Sequence, residues 1–349
     1  MRPRKKVSQQ RIAKDLGVSQ ALVSLALNGR KDGINPDTYR QIWDHALNLG
    51  YQPKGMLFER TPREAQLRQV GFILRAGLNI HTQGSYFSSV LHGMHTALAE
   101  RDHAALFLGT EDTLDKTKLG QFFRTGHALR GVVLFGEVSA NFLRMLCGVE
   151  PRIVAVSARH TGQCHSVVGN EPQAFEAVVK HLYELGHRSI GWLGGNVGLG
   201  RHEARHQAYV AAMRQCKLEP DERYAVFLKQ GDRAEGSEAI RTLLPNVKRK
   251  DFPTAFVTYN THMAIGAIKA LQHAGYHVPA DFSIAGGDYS QIAFQETPRV
   301  TVAGTDPEKL GAAAARLALE STGGDDESFT DLILPSQLAV GESTGPVRR

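Results

Sequence analysis

Between Gly17 and Gly29 the sequence reads GVSQALVSLALNG, a run without a charged side chain inside the most basic part of the chain. Its spacing predicts a short helix behind an N-capping Ser19, with Val23, Ala26 and Leu27 on one apolar stripe. Gln20, Ala21, Ser24 and Leu25 are then left facing outward. One amide, one hydroxyl and two apolar groups are poor tools for acid–base chemistry, but they suit base edges. The Gln20 amide can read adenine, and Ala21 and Leu25 can make apolar contact with thymine methyl groups.

The charge distribution agrees with that reading. Residues 1–60 hold eleven Lys and Arg against five Asp and Glu, and the rest of the chain holds thirty of each, so the whole net charge of +6 belongs to the N-terminal sixth. A confined basic footprint implies a polyanion for that segment, because phosphate neutralisation supplies most sequence-independent nucleic-acid affinity. Ser8, Ser19, Asn28 and Arg30 belong with the reading face on the expected DNA surface.

Other candidate chemistry is weak. Cys147, Cys164 and Cys216 are odd in number and far apart, which suits reduced, structural thiols. GGNVGLG at 194–200 lacks the G-x-G-x-x-G spacing and reads as a loop at a cleft. His202 and His206 stand four apart on a helical pattern, with no acid or cysteine partner evident for a metal. No nucleophile, base and orienting group can be assembled, and G-x-S-x-G is absent. The expectation is therefore a non-enzyme without cofactor or metal. With no run of about 18 apolar residues and no secretory signal, a cytoplasmic protein without a membrane partner is expected.

The elements that position these residues follow from local pattern. Ser8 caps a first helix carrying Ile12, Ala13 and Leu16 and ending at Gly17, the next begins at Ser19, and a third opens at Asn35-Pro36 and buries Tyr39, Ile42, Trp43, Ala46 and Leu47 until Gly50. Two short helices around Gly-Val-Ser make a helix-turn-helix, whose second helix lies in the major groove. From Gln69 on, β-rich runs (QVGFIL, AALFLG, GVVLFG, RIVAVS, SIGWLGG, YAVFLK, TAFVTY, FSIAGG) alternate with helical stretches, implying parallel sheets in two α/β lobes. Ligands of such folds bind beyond the carboxyl ends of the strands, here between the lobes.

The runs RIAKDLGVSQALVSLALNG and INPDTYRQIWDHALNLGYQP resemble the DNA-binding headpiece of the lac repressor (LacI/GalR) family, with Ala13, Gly17, Val18, Ser19, Val23, Ser24, Leu27 and Asn28 on its pattern. Leu22 and Leu25 depart from it. PRIVAVSARHTGQCHSVVGNEPQAFEAVVKHLYELGHRSIGWLGG, FVTYNTHMAIGAIKALQHAGYHVPADFSIAGGDYSQIA and PSQLAVGEST are similar to the family's periplasmic-binding-protein-like core. The resemblance implies a headpiece at 1–53, a hinge at 54–68 and a core at 69–349. It places the N-lobe at 69–168 and 300–324, and the C-lobe at 169–299 and 325–349.

By the same resemblance Arg205, Asn260 and Asp288 are effector contacts, a set suited to a polyol: Arg forks across two oxygens, Asp accepts from hydroxyls and Asn does both. Tyr86 and Phe87, on the first βα connection, would wall the ring face. Thr261 and Val156 stand where relatives often carry Asp. In the hinge, Leu57 is expected to wedge into the minor groove beside Arg60. The implied function is a regulator, most simply a repressor, of double-stranded operator DNA modulated by a small carbohydrate-like effector. It should be a homodimer, since one headpiece buries too little to be specific. The alternatives are a free sugar receptor, or an α/β enzyme with an appended headpiece.

Overall fold

The computed structural model describes residues 8–27, 34–48, 68–78, 84–124, 129–150, 152–321 and 328–347. The chain divides into two compact units, Met1–Ala65 and Gln66–Arg349.

Among the described residues the first unit is three helices. α1 (Gln9–Leu16) is capped by the Ser8 hydroxyl, which accepts from the Arg11 N–H at 3.3 Å, and ends at Gly17 with φ +65°. A left-handed residue there suits glycine, and it turns the chain into α2 (Gln20–Leu27), whose Leu22 N–H donates to Ser19 Oγ at 3.2 Å. Asn35 caps α3 (Pro36–Asn48), with proline at its first position. Ile12, Ala13, Val23, Ala26, Leu27, Ile42 and Ala46 form the core, with Leu16 and Tyr39 half-buried against it. The side chains of Trp43 and Leu47 lie outside the described residues.

The second unit holds two six-stranded sheets. β1 (Arg68–Leu74), α4 (Gly84–Ala99), β2 (His103–Thr110), α5 (Lys116–Arg124), β3 (Leu129–Phe135), α6 (Ala140–Cys147), β4 (Ile153–Val156) and β5 (His165–Gly169) build the N-lobe. The C-lobe follows with α7 (Glu171–Glu184), β6 (Ile190–Gly194), α8 (Gly200–Gln215), β7 (Ala225–Phe227), α9 (Arg233–Leu243), β8 (Ala255–Thr258), α10 (Thr261–His273), β9 (Ser283–Gly286) and β10 (Thr301–Gly304). The chain returns through α11 (Pro307–Glu320) and β11 (Asp331–Leu334) to the N-lobe and ends on β12 (Gln337–Ala339) in the C-lobe. Strand orders are β11-β5-β4-β3-β1-β2 and β12-β10-β9-β8-β6-β7, parallel except for β10 against β12. Central strands such as IVAV and SIAG are wholly buried, as a sheet covered by helices on both faces requires. α4 and α11 approach closely because Gly93 and Gly311 carry no side chain: a methyl group at either would strike the facing backbone carbonyl.

This topology corrects the expected lobe boundaries. The TVAG strand at 301–304 pairs with β9 and belongs to the C-lobe, and DLIL at 331–334 pairs with β5 and belongs to the N-lobe. The second and third crossovers therefore lie at 305–306 and 335–336, later than the 300 and 325 expected. β10 is an ordinary buried strand of four residues that the sequence reading passed over. The three crossovers are bonded to one another. Ser336 Oγ donates to the Asn170 carbonyl at 2.9 Å and meets Thr305 Oγ1 at 3.0 Å, and the Asn170 N–H donates to the Leu334 carbonyl. They form one hinge on which the lobes are hung.

Candidate functional site

Two places in the chain carry the expected chemistry, one in each unit. In the headpiece, Val23, Ala26 and Leu27 are buried, while Gln20, Ala21 and Leu25 are exposed and Ser24 is half-buried. Leu25 keeps 42% of its surface in water. Ser8 and Ser19 are exposed and spend their hydroxyls as caps. Asn28, Arg30, Leu57 and Arg60 lie outside the described residues.

In the core, Tyr86, Phe87, Arg205, Asn260 and Asp288 all line one cavity of about 70 Å³ between the lobes. Tyr86 and Phe87 sit in the first turn of α4 and not in a connection; the helix starts early, at Gly84. Their rings meet edge to face at 5.2 Å. Arg205, 2% exposed, projects from α8 and is already engaged. Its Nε donates to Glu171 Oε2 at 3.1 Å, its Nη1 donates to the Tyr259 carbonyl, and Asp288 Oδ1 lies 3.9 Å away. Asn260 caps α10, accepting from the Met263 N–H at 2.9 Å while its Nδ2 donates to the Gly231 carbonyl at 2.7 Å. Asp288 accepts from the Thr261 N–H at 2.7 Å, and the Thr261 hydroxyl donates to the Asp288 carbonyl. Thr261 thus holds Asp288 in place, and Val156 is plain core.

The sequence reading missed the groups that join the lobes. Arg201, one turn before Arg205 on α8, donates from Nε to Glu171 Oε1 at 3.0 Å and from Nη2 to the Tyr86 hydroxyl at 3.1 Å, and its guanidinium lies over the Tyr86 ring. Burial opposes its charge, yet Tyr86, Glu171, Tyr259 and Asp288 outweigh burial and hold its pKa well above the ordinary range. Tyr86 in turn meets Ser157 Oγ at 2.9 Å. A second link comes from Glu137, after β3, whose carboxylate accepts from the Gly200 N–H at 2.7 Å. Leu199 offers α8 no side-chain cap, so an acid from the other lobe fills that role, favourably placed at the helix dipole. The i, i+4 spacing of Arg201 and Arg205 was visible in sequence; the pairing with Glu171 was not.

With both links made, the remaining space is far below the roughly 300–1,000 Å³ of ordinary ligand pockets. A second, mostly apolar cavity of about 600 Å³ lies beyond Glu137, Ser157 and Arg201, which line both. Asn196 and Leu199 of the glycine-rich loop face the first cavity. The two histidines of α8 belong to an aromatic cluster: His202 Nδ1 donates to the Gly195 carbonyl at 2.8 Å, and His206 packs on Trp192 and Phe227.

Comparison with known proteins adds the lineage. Residues 179–344 match the model of a periplasmic binding protein-like domain. The HTH-type transcriptional repressor PurR of Actinobacillus pleuropneumoniae serotype 3 (strain JL03) is 23% identical over 311 residues, covering 88% of this chain and 89% of the relative. Among solved structures, the lac repressor dimer bound to operator and an anti-inducer superposes with a TM-score of 0.66 at 18% identity, over 98% of this chain and all of that one. In length and fold the chain is similar to regulators of the LacI family. A complex of the transcriptional regulator CelR with cellobiose superposes with a TM-score of 0.67 at 23% identity, over 97% of this chain and 100% of that one. The lac repressor and CelR superpositions each span nearly the whole of this chain, so the two units described here recur in one chain elsewhere.

Proposed function

We propose that this chain is a cytoplasmic, homodimeric repressor that reads a near-palindromic operator with paired headpieces and changes its operator affinity when a sugar or sugar derivative occupies the cleft between the lobes. One observation carries the ligand half of this reading: the cavity is lined from both lobes and bridged by bonds, Arg201 to Tyr86 and Glu137 to Gly200, that cross from one lobe to the other. A ligand can shift a conformational equilibrium only through differential affinity for its states, and a site built from both lobes has that property. The lac repressor relative was solved as a dimer on operator and CelR with cellobiose, which supports operator and polyol as partners here. In the headpiece, the uncharged exposed face of α2 beside basic flanks supports base contact by Gln20, Ala21 and Leu25 with phosphate contact around them. The same reading assigns Asn28 and Arg30 to DNA contact and Leu57 with Arg60 to a minor-groove wedge.

Selection of fragments from random DNA tests the reading. The full chain should enrich a two-fold motif whose affinity falls steeply with salt, and residues 69–349 alone should enrich nothing. Equal enrichment by the truncated chain overturns it.

A further inference from the structure

Three guanidinium groups converge on the interlobe cavity: Arg75 at the end of β1, Arg201 and Arg205. Two of them share one acid, since Glu171 offers Oε1 to Arg201 and Oε2 to Arg205. Asp288 is committed to the Thr261 N–H. Arg75 is different. Among the described residues it makes no ion pair, and its bond to the Ala76 carbonyl, at 3.3 Å, is long. The two acids whose charge acts on it spend hydrogen bonds on backbone N–H groups, Glu111 on those of Ala76 and Ser139 and Glu137 on that of Gly200. The segment 79–83 that follows contains no Asp or Glu.

The side chain is held over the cavity floor, its stem lying against Gly136, where a methyl group would come within 2.8 Å of Arg75 Cδ. Burial lowers its pKa, Tyr259, Glu137 and Glu111 oppose that, and Arg201 across the cavity lowers it further. Two guanidinium groups thus line one partly dry site, and Arg75 has no ion pair there among the described residues. A neutral sugar can offer Arg75 only neutral hydrogen bonds, whereas an anion gains charge-assisted ones. Nearby, His262 Nε2 is buried without a partner and Asn260 keeps one N–H, which are groups that bond hydroxyls.

We infer that the effector is an anionic polyol, a sugar bearing a carboxylate or a phosphate, whose acid group sits between Arg75 and Arg201 while its hydroxyls face Asn260, His262 and Asp288. This rests on the proposed polyol-responsive function and narrows it.

The test is calorimetric titration of the full chain at pH 7.5 and 150 mM salt with six common aldoses, each as the neutral sugar, the aldonate and the terminal phosphate ester, and with inorganic phosphate. At least one aldonate or phosphate should bind about 10- to 100-fold tighter than its neutral parent, the range of a hydrogen-bonded charge. Which arm responds identifies the acid group. Arg75→Gln should erase that preference and Arg75→Lys keep most of it. A neutral sugar binding as tightly as its acid, a preference that survives Arg75→Gln, inorganic phosphate binding as well as any sugar acid, or no binding across the panel would each overturn the inference. A neutral sugar that alters operator affinity would leave the regulatory reading intact while refuting this one; failure to bind any operator would refute the regulatory reading alone.

Discussion

Replacing Tyr86 with phenylalanine removes one oxygen from the closed cleft and little else. The ring is 5% exposed and stays packed against Phe87. Of the two bonds lost, that to Ser157 lies within the N-lobe and is absent from open and closed arrangements alike. The bond from Arg201 crosses between lobes and exists only on closure. Hydrogen bonds to charged groups contribute about 1.5–3 kcal/mol. Because Arg201 keeps Glu171, we discount this to about 1–2 kcal/mol, a shift of roughly 5- to 30-fold toward the open form. The Gly200 N–H reports that shift directly, since Glu137 protects it only when the lobes meet. Amide exchange at Gly200 in the full chain should therefore accelerate by about that factor. The Thr261 N–H, bonded to Asp288 inside the C-lobe, should not change. Equal exchange at Gly200 in variant and parent would refute the view that these bonds hold the lobes together.

Three further outcomes follow from the same structure. Leu25→Ala, at an exposed position, should alter stability by less than about 0.5 kcal/mol and relax preference at one base pair per half-site by about 1 kcal/mol; uniform weakening across operator variants would contradict base contact. Gly169→Val places a Cβ 2.6 Å from Thr305 Oγ1 in the hinge, and should lower core stability by about 1–3 kcal/mol in thermal unfolding; an unchanged melt would show that the crossovers are not tightly apposed. Burial is the largest cause depressing the pKa of His160, His181, His187, His206 and His262 below 6.5. The unfolded chain then takes up protons first, so their contribution is complete above about pH 6.5 and is lost as pH falls below it, by at most about 1.4 kcal/mol per pH unit for each histidine. A melting temperature steady from pH 7 to pH 5 would contradict this.

The headpiece was legible because its signals are local: Ser8, Ser19 and Asn35 cap within three residues, Gly17 turns the chain, and Ile12, Val23 and Leu27 repeat at helical spacing. The strand and helix alternation of the lobes was legible for the same reason. The lobe boundaries after 300 were not, since a four-residue strand such as TVAG says nothing about which sheet it joins; β10 is placed by β9 and β12. The cleft was half legible. Arg205, Asn260 and Asp288 came from resemblance, but Glu171 and Glu137 act through partners 30 to 63 residues away, and long-range pairing leaves no trace in spacing. The structure also shows Asn260 and Arg205 holding the site together as much as facing it, so substitution of either tests folding along with binding.

The central claim is that one ligand site and one DNA site are coupled through the lobes. Coupling between binding sites is reciprocal: a ligand that changes operator affinity by some factor must have its own affinity changed by the same factor when operator is bound. The most direct measurement is the titration of the full chain with the tightest-binding sugar or sugar acid, in the presence and absence of saturating selected operator. The account predicts a change of roughly 5- to 150-fold, equal to the change in operator affinity caused by that ligand. Identical ligand affinity with and without operator would contradict it.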